Sequence, residues 1–298
     1  MSDEPRCGFV AVVGKPNAGK STLVNALVGE KVSIVTPRPQ TTRHRVIGIR
    51  NRPDSQVVFV DTPGLHASAG KLINRTMNRA AVGSLADADL VLFVIEATGW
   101  RGADSHVLER LGKSRAPVIL VVNKADQLQP RSRLLPLLTS AQDRRAFAAV
   151  VPISALSGDN LDELMRVILE ALPRGQRLYP DDMTTDRGRD FRIGESLREQ
   201  LMTSLGREVP YGLAVEVVAV EESASLVRID AMIWVAKASQ RPIVVGRGGE
   251  QLKKIGTAAR LDMEKLLGRK VFLQTHVKVR RNWADDARAL RQFGYEAE

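Results

Sequence analysis

The chain has 298 residues, a net charge of +10 at pH 7, 44% hydrophobic and 26% charged residues, and a single cysteine. That length suits two domains of roughly 100–200 residues, and no apolar run reaches the ~20 residues that a membrane-spanning helix needs. One cysteine, Cys7, excludes an internal disulfide and a cysteine-based metal site, which points to a reducing compartment; Asp3 and Glu4 stand where a secretory leader would be basic, so no leader is expected.

From Gly8 to about Pro173, short runs rich in Val, Ile and Phe alternate with longer mixed segments. Phe9–Val13, Val57–Val60, Leu90–Ile95, Val118–Val122 and Val150–Ile153 are strand-sized, and the stretches between them are long enough for crossover helices. This predicts an α/β domain over residues 1–173, with a mostly parallel sheet and helices on both faces. Ligands of such sheets bind beyond the carboxyl ends of the strands, so the residues after each run are the ones to read. Periodicity stops across residues 174–190, where Gly175, Pro180, Thr184, Thr185 and Gly188 mix with charges of both signs, and an exposed linker is expected. Residues 191–298 resume with a helical pattern at Ile193, Leu197, Leu201 and Leu205, then strands Leu213–Val220 and Leu226–Val235. A glycine cluster, a helix carrying Leu252, Ile255, Ala259, Met263 and Leu266, and a strand Val271–Val279 complete a small α+β domain.

Directly after the first strand stands Gly14-Lys-Pro-Asn-Ala-Gly-Lys-Ser21, the G-x-x-x-x-G-K-[ST] pattern in its strand-to-helix context. Gly14 and Gly19, flanking Asn17 and Ala18, let backbone N–H groups wrap phosphates. Lys20 brings a cation to the β- and γ-phosphates, and Ser21, with Thr22 beside it, offers a hydroxyl to Mg²⁺ at a helix amino terminus. Asp61-Thr-Pro-Gly64 follows the second run; its carboxylate can hold the magnesium shell through water, and the Gly64 N–H can meet the γ-phosphate. In Asn123-Lys124-Ala-Asp126, the Asp126 carboxylate can accept both N1–H and the exocyclic amine of guanine, a donor pair that adenine lacks. GTP and GDP are therefore the expected ligands. Ser154-Ala155-Leu156 can add a backbone N–H to guanine O6. Between the first two motifs, Arg38-Pro-Gln-Thr-Thr-Arg43 supplies two hydroxyls, one of which should cap Mg²⁺; residue chemistry alone does not choose between Thr41 and Thr42.

Positive charge is concentrated between Lys237 and Arg281, which holds 12 basic and 3 acidic residues. Inside that stretch Gly246-Arg247-Gly248-Gly249 lies between an apolar strand and an amphipathic helix. Lys253 and Lys254 follow in the helix, and Lys278, Arg280 and Arg281 close the last strand as candidate phosphate donors. Taken in order, the motifs of the first half resemble those of the translation-factor-related GTPases. The glycine loop resembles the GxxG element of a KH domain, which clamps single-stranded RNA by its backbone, and the helix-strand-strand-helix-strand order resembles the type II KH arrangement. The combination resembles the Era family over nearly the whole chain, including Pro37-Arg-Pro-Gln-Thr-Thr-Arg43, Asp61-Thr-Pro-Gly-Leu-His66 and Tyr179-Pro-Asp-Asp182.

The resemblance implies a GTP-hydrolysing switch that binds the 3′ end of small-subunit ribosomal RNA and assists maturation of the small ribosomal subunit. It favours Thr42 over Thr41 as the magnesium ligand and names Lys20, Thr42, Gly64 and Asn17 as the catalytic set. Through Asn17 it also implies a potassium ion that does the work of an arginine finger. A cytoplasmic monomer is expected, with peripheral contact at the inner membrane as a further expectation. One departure matters for mechanism: Leu65 stands where many GTPases carry a water-orienting glutamine, so the water must be held by backbone groups, another residue or an element supplied from outside, and intrinsic turnover should be slow; His66 beside it is a loop histidine more often solvated than catalytic. Competing readings are a GTPase of tRNA modification, which would be expected to carry a folate-binding region and a catalytic cysteine where this chain has only Cys7, an RNA chaperone with GTP as a structural ligand, and a membrane-surface GTPase. For coupling, GTP is expected to order Arg38–Arg43 and the segment after Gly64.

Overall fold

Alternation within each apolar run decides the first architecture. A computed structural model describes residues 4–64, 70–112, 114–206 and 208–295. Among them, strands β1 (Arg6–Val13), β2 (Val46–Arg52), β3 (Ser55–Asp61), β4 (Leu90–Glu96), β5 (Val118–Asn123) and β6 (Ala149–Pro152) form one sheet in the order β2-β3-β1-β4-β5-β6. All neighbours are parallel except β2 and β3. Helices α1 (Lys20–Val28), α2 (Leu72–Ala86), α3 (Gly102–Leu111), α4 (Leu134–Gln142) and α5 (Leu161–Ala171) intervene.

Successive strand residues point to opposite faces, and both faces are covered. Val10, Val12, Leu92, Val94 and Val121 pack with Leu23, Val24 and Leu27 of α1 and Leu164 and Ile168 of α5. Ala11, Val13, Phe93, Ile95 and Val122 pack with Ala81 of α2, Val107 and Leu111 of α3 and Leu137 of α4. Double burial is why these strands read as unbroken apolar runs. β2 escaped the sequence reading because it is an edge strand, apolar only over its first half. Its Gly48 is required by close packing, since a Cβ there would sit 2.8 Å from Val28 Cγ2.

By its contacts the chain divides into two units, the first Met1–Ser33, Thr42–Ala69 and Met77–Asp186, the second Ile34–Thr41, Gly70–Thr76 and Arg187–Glu298. The segment read as an exposed linker is, up to Asp186, a strap along β2. Ile49 N–H donates to Thr184 O at 2.8 Å, Ile47 N–H to Asp186 Oδ1 at 3.3 Å, and Gly48 bridges to Thr185. Tyr179 and Met183 lie on Ile47, Ile49 and Val58. Gln56, wholly buried, fastens the strap: Oε1 accepts from Leu178 N (2.7 Å) and Tyr179 N (2.9 Å), while Nε2 donates to Tyr179 O (2.8 Å) and Asn51 Oδ1 (2.7 Å). The segment's polar composition hid this, because its anchors are backbone groups.

In the second unit α6 (Arg189–Ser204), β7 (Leu213–Glu222), β8 (Leu226–Val235), α7 (Arg241–Val245), α8 (Glu250–Leu267), β9 (Lys270–Val279) and α9 (Ala287–Gln292) follow in order. The sheet runs β7-β8-β9, with β7 and β8 antiparallel and β8 and β9 parallel. Its inner face, with Val227, Ile229, Ala231 and Ile233, packs on Ile193, Leu197 and Leu201 of α6 and Ile255, Ala259 and Met263 of α8. Ile243-Val244-Val245, directly before the glycine loop, belong to helix α7, an element the sequence reading did not include. Pro242 at the first helical turn explains it, because proline suits that position and withholds a ladder hydrogen bond.

Replacing Gln56 by Leu strands two strap amides and one carbonyl, a cost of about 2 kcal/mol. Amide hydrogen exchange at Leu178 and Tyr179 should accelerate by roughly 30-fold, while exchange in the inner strands β1 and β4 stays as it was.

Candidate functional site

β1 hands the chain to a loop that returns at the amino terminus of α1. Close approach makes two of its positions glycine. A Cβ on Gly14 would lie 2.4 Å from Val94 O, and one on Gly19, at φ +95°, would lie 2.2 Å from Asn123 Nδ2. Asn17 turns through the left-handed region at φ +63°, which asparagine tolerates. Lys20 is buried, and its Nζ donates to Gly14 O (3.1 Å) and Lys15 O (2.9 Å). Burial lowers its pKa to about 8, against the opposing pull of Asp61.

Ser21, Thr42 and Asp61 form a triangle of oxygens. Ser21 Oγ lies 2.8 Å from Thr42 Oγ1 and donates to Asp61 Oδ2 at 2.7 Å. Burial raises the Asp61 pKa, more than the Ser21 hydrogen bond and the Lys20 charge lower it. Its other oxygen, Oδ1, is buried with no hydrogen-bond partner among the described residues. An orphaned carboxylate oxygen beside two hydroxyls is an all-oxygen donor set, which suits Mg²⁺. Thr41 faces elsewhere: its hydroxyl lies 2.5 Å from Thr36 Oγ1 and donates to Arg38 O at 2.8 Å. Of the two threonines, Thr42 is therefore the one at the triangle. Thr22 is half-buried on α1, and Gly64 packs so tightly on the phosphate loop that a Cβ would be 3.0 Å from Pro16. Leu65 and His66 lie outside the described residues.

At the end of β5, Asn123 faces the loops rather than a ligand. Its Nδ2 donates to Ala18 O at 2.9 Å, and its Oδ1 accepts Ala155 N–H at 2.9 Å. The Ala155 amide, a candidate donor to guanine O6, is thus engaged by Asn123. Ser154 is buried and accepts from Ser157 N at 3.2 Å, whereas the Leu156 side chain is exposed. Lys124, at φ +64°, donates to Glu96 Oε1, and Asp126 stands exposed in the turn Ala125–Gln127. Asp126 is thereby open to a base beyond the strand ends.

The second unit contributes two features. Residues Ile34–Thr41 belong to it and are held by α6: Glu199 Oε1 accepts Val35 N–H (2.9 Å), Arg198 Nη2 donates to Thr41 O (2.6 Å), and Arg38 donates to the carbonyls of Met202 and Leu205. Arg198 is 2% exposed and paired with Glu195 at 2.6 Å. Sequence reasoning missed Arg198 and Glu199, because charges on a helix read as solvated.

The other feature is a cavity of about 490 Å³ beside the glycine loop, lined by Ser204, Leu205, Pro242, Ile243, Glu250 and Gln251 together with Gly206, Gly246, Arg247 and Lys254. Gly246 (φ +75°), Gly248 (φ +58°) and Gly249 (φ +86°) give the loop its left-handed turns. Of the predicted RNA residues, Gly246, Arg247 and Lys254 line the cavity, and Gly248 and Gly249 belong to its loop. Lys253 is exposed on α8, away from the lining. Lys278 is exposed on β9 opposite Trp234 of β8, and Arg280 is paired with Asp286 at 3.2 Å over the Phe293 ring. Neither of these two lines the cavity.

Comparison with known proteins agrees with both parts. A family model described as "50S ribosome-binding GTPase" matches residues 9–124, and one described as "KH domain" matches residues 208–284. GTPase Era of Stenotrophomonas maltophilia is 52% identical over 290 residues, 97% of each chain, and that of Xanthomonas oryzae pv. oryzae is 50% identical over 295 residues, 99% of each. Among solved structures, Era in complex with MgGDPNP and nucleotides 1506–1542 of 16S ribosomal RNA superposes with a TM-score of 0.95 at 40% identity, covering 98% of this chain and 100% of that one. A variant of Aquifex aeolicus Era bound to GDP·AlF4⁻ matches with the same TM-score, identity and coverage.

The lowered pKa of Lys20 sets a pH dependence. A phosphate anion beside Nζ favours the charged form and raises the pKa above about 8. Binding of a phosphate ligand should therefore take up a proton above pH 8, and affinity should fall as pH rises through 8 toward 10. Below about pH 7 this lysine should contribute no proton uptake. Calorimetry in two buffers of different ionisation enthalpy reads the uptake directly.

Proposed function

We propose that this chain, which belongs to the Era family of GTPases, hydrolyses GTP to time its hold on the 3′ region of small-subunit ribosomal RNA, and so assists maturation of the small ribosomal subunit. The observation that carries the reading is the presence in one chain of the Ser21–Thr42–Asp61 triangle and the cavity beside the GxxG loop. The solved relative, which holds both MgGDPNP and a 16S ribosomal RNA fragment, supports it.

Lys20 turns from the Gly14 and Lys15 carbonyls to the β- and γ-phosphates, which meet the amino terminus of α1. Ser21 and Thr42 would hold Mg²⁺ by their hydroxyls, with Asp61 fixing its shell; the ion supplies positive charge to the phosphate oxygens. Gly64 offers its N–H to the γ-phosphate, and Asp126 accepts from the guanine edge. Leu65 cannot hydrogen-bond a water, so positioning of the nucleophile falls to other groups and intrinsic turnover is slow. Asn17 would hold a K⁺ ion, which would supply positive charge to offset charge developing in the transition state. In the second unit, Arg247 and Lys254 contact RNA phosphates, while Glu250 and Gln251 present polar groups to base edges. Among the described residues no aromatic side chain lines that cavity, so bases are held by apolar and hydrogen-bonding contacts rather than stacking. Lys253, Lys278 and Arg280 add to the basic field around the groove.

We place the chain in the cytoplasm as a monomer. Contact with the inner membrane would be peripheral, through the basic Lys237–Arg281 stretch; no helix among the described residues is long and apolar enough to cross a bilayer.

GTP turnover measured with a short single strand matching the 3′ end of small-subunit ribosomal RNA should rise, and a scrambled strand should leave it unchanged. Gly248→Asp, which sets a carboxylate in the backbone clamp, should weaken RNA binding by about tenfold or more and abolish the stimulation. No stimulation and no binding would remove the RNA partner while leaving the GTPase. Turnover should also be faster in K⁺ than in Na⁺ at equal ionic strength, and equal rates would remove the role of Asn17 in holding potassium.

A further inference from the structure

The phosphate loop carries a second lysine whose side chain leaves the loop altogether. Lys15 Nζ lies 3.1 Å from Asp104 Oδ2 and 3.2 Å from Glu96 Oε2. The side chains are 9%, 0% and 19% exposed for Lys15, Asp104 and Glu96 in turn. Asp104, in the first turn of α3, also accepts the Arg101 N–H at 2.9 Å, and its Oδ1 is buried with no hydrogen-bond partner among the described residues. Glu96 ends β4, and its second oxygen accepts Lys124 Nζ. Two cations and two carboxylates thus form a neutral network, in which Glu96 touches both the phosphate loop and the motif that reads the base. Meanwhile the backbone carbonyl of Lys15 is one of the two acceptors that hold Lys20 Nζ.

We infer that Lys15 is a positioning residue for nucleotide binding, and that Glu96 is the common anchor holding the phosphate loop and the base-reading Lys124 in one frame. The inference rests on the assignment of this loop to a guanine nucleotide. Neither carboxylate belongs to the phosphate-loop, Asp-x-x-Gly or Asn-Lys-x-Asp motif, and nothing in their chemistry touches a phosphate. Their effect runs through geometry. With Lys15 paired to α3 and β4, the backbone of residues 14–16 is fixed, and with it the carbonyls that orient Lys20. A buried carboxylate that loses its only cation is strongly disfavoured, so removing Lys15 strains Asp104 and releases the loop.

Glu96 provides a test in which charge and position predict opposite signs. If the network acted only through the electrostatic field, Glu96→Gln would make the site more positive and slow the dissociation of a polyphosphate. If Glu96 is an anchor, the same change frees Lys15 and Lys124 and speeds dissociation. Release of a fluorescent GDP analogue from the full-length protein, measured by stopped flow in Mg²⁺ buffer, should be about tenfold faster in both Lys15→Met and Glu96→Gln, tenfold corresponding to 1.4 kcal/mol. The double variant should be little faster than either single variant, because both changes break one frame. Lys15→Arg, which keeps the pairing, should stay near the wild-type rate.

Slower or unchanged release from Glu96→Gln, or additive effects in the double variant, would overturn the inference. Should Lys15→Met fail to fold, Glu96→Gln with Lys15→Arg still decides the sign. If the wild-type protein bound no GDP analogue at all, the nucleotide assignment would fall, and the inference with it.

Discussion

One neutral amide holds the nucleotide site together. Asn123 reaches from the end of β5 to Ala18 O on one side and takes the Ala155 N–H on the other. Being uncharged and 2% exposed, it meets both groups without a desolvated ion, and each bond left unmade would cost about 1–3 kcal/mol. Its approach also dictates sequence at a distance, because the amide stands where a Cβ of residue 19 would be. The amide thereby ties the phosphate loop and the 154–156 loop to the end of β5.

Around that tether the site is arranged as charge short of its natural counterpart. Lys20 is buried against two carbonyls, with the Asp61 charge favouring its ammonium form while the Asp61 carboxylate is itself held by Ser21. Burial disfavours the ammonium on one side and the carboxylate on the other. An anion at the helix terminus would relieve the first and a divalent cation at the oxygen triangle would relieve the second.

The parts legible in the sequence were those written in local patterns. Runs buried on both faces announced the inner strands, and alternation at Ile193, Leu197 and Leu201 or Ile255, Ala259 and Met263 announced the helices that cover the second sheet. The phosphate-loop, Asp61–Gly64 and Asn123–Asp126 motifs were readable because each follows a strand. What escaped depends on partners far away in the chain. Lys15, Glu96 and Asp104 look like three solvated charges until the sheet brings β4 and α3 beside the loop, and Arg198 looks like a surface helix residue until Ile34–Thr41 lies on it. Helix α7 before Gly246 went unread because three aliphatic residues suit a strand and a short helix equally; Pro242 tips the balance. Lys278 and Arg280 were chosen for charge; neither lines the cavity, and Arg280 is paired with Asp286.

The strap over β2 bears on how the sheet ends. A strand at the border of a sheet displays a row of unsatisfied amides and carbonyls, an invitation to any extended chain that drifts past. Here the protein answers the invitation itself: Thr184, Thr185 and Asp186 occupy the outer groups of Ile47, Gly48 and Ile49, and Tyr179 and Met183 roof the apolar side. A chain cut at the end of α5 would leave that border open, so what reads as a connector also closes the edge of the sheet.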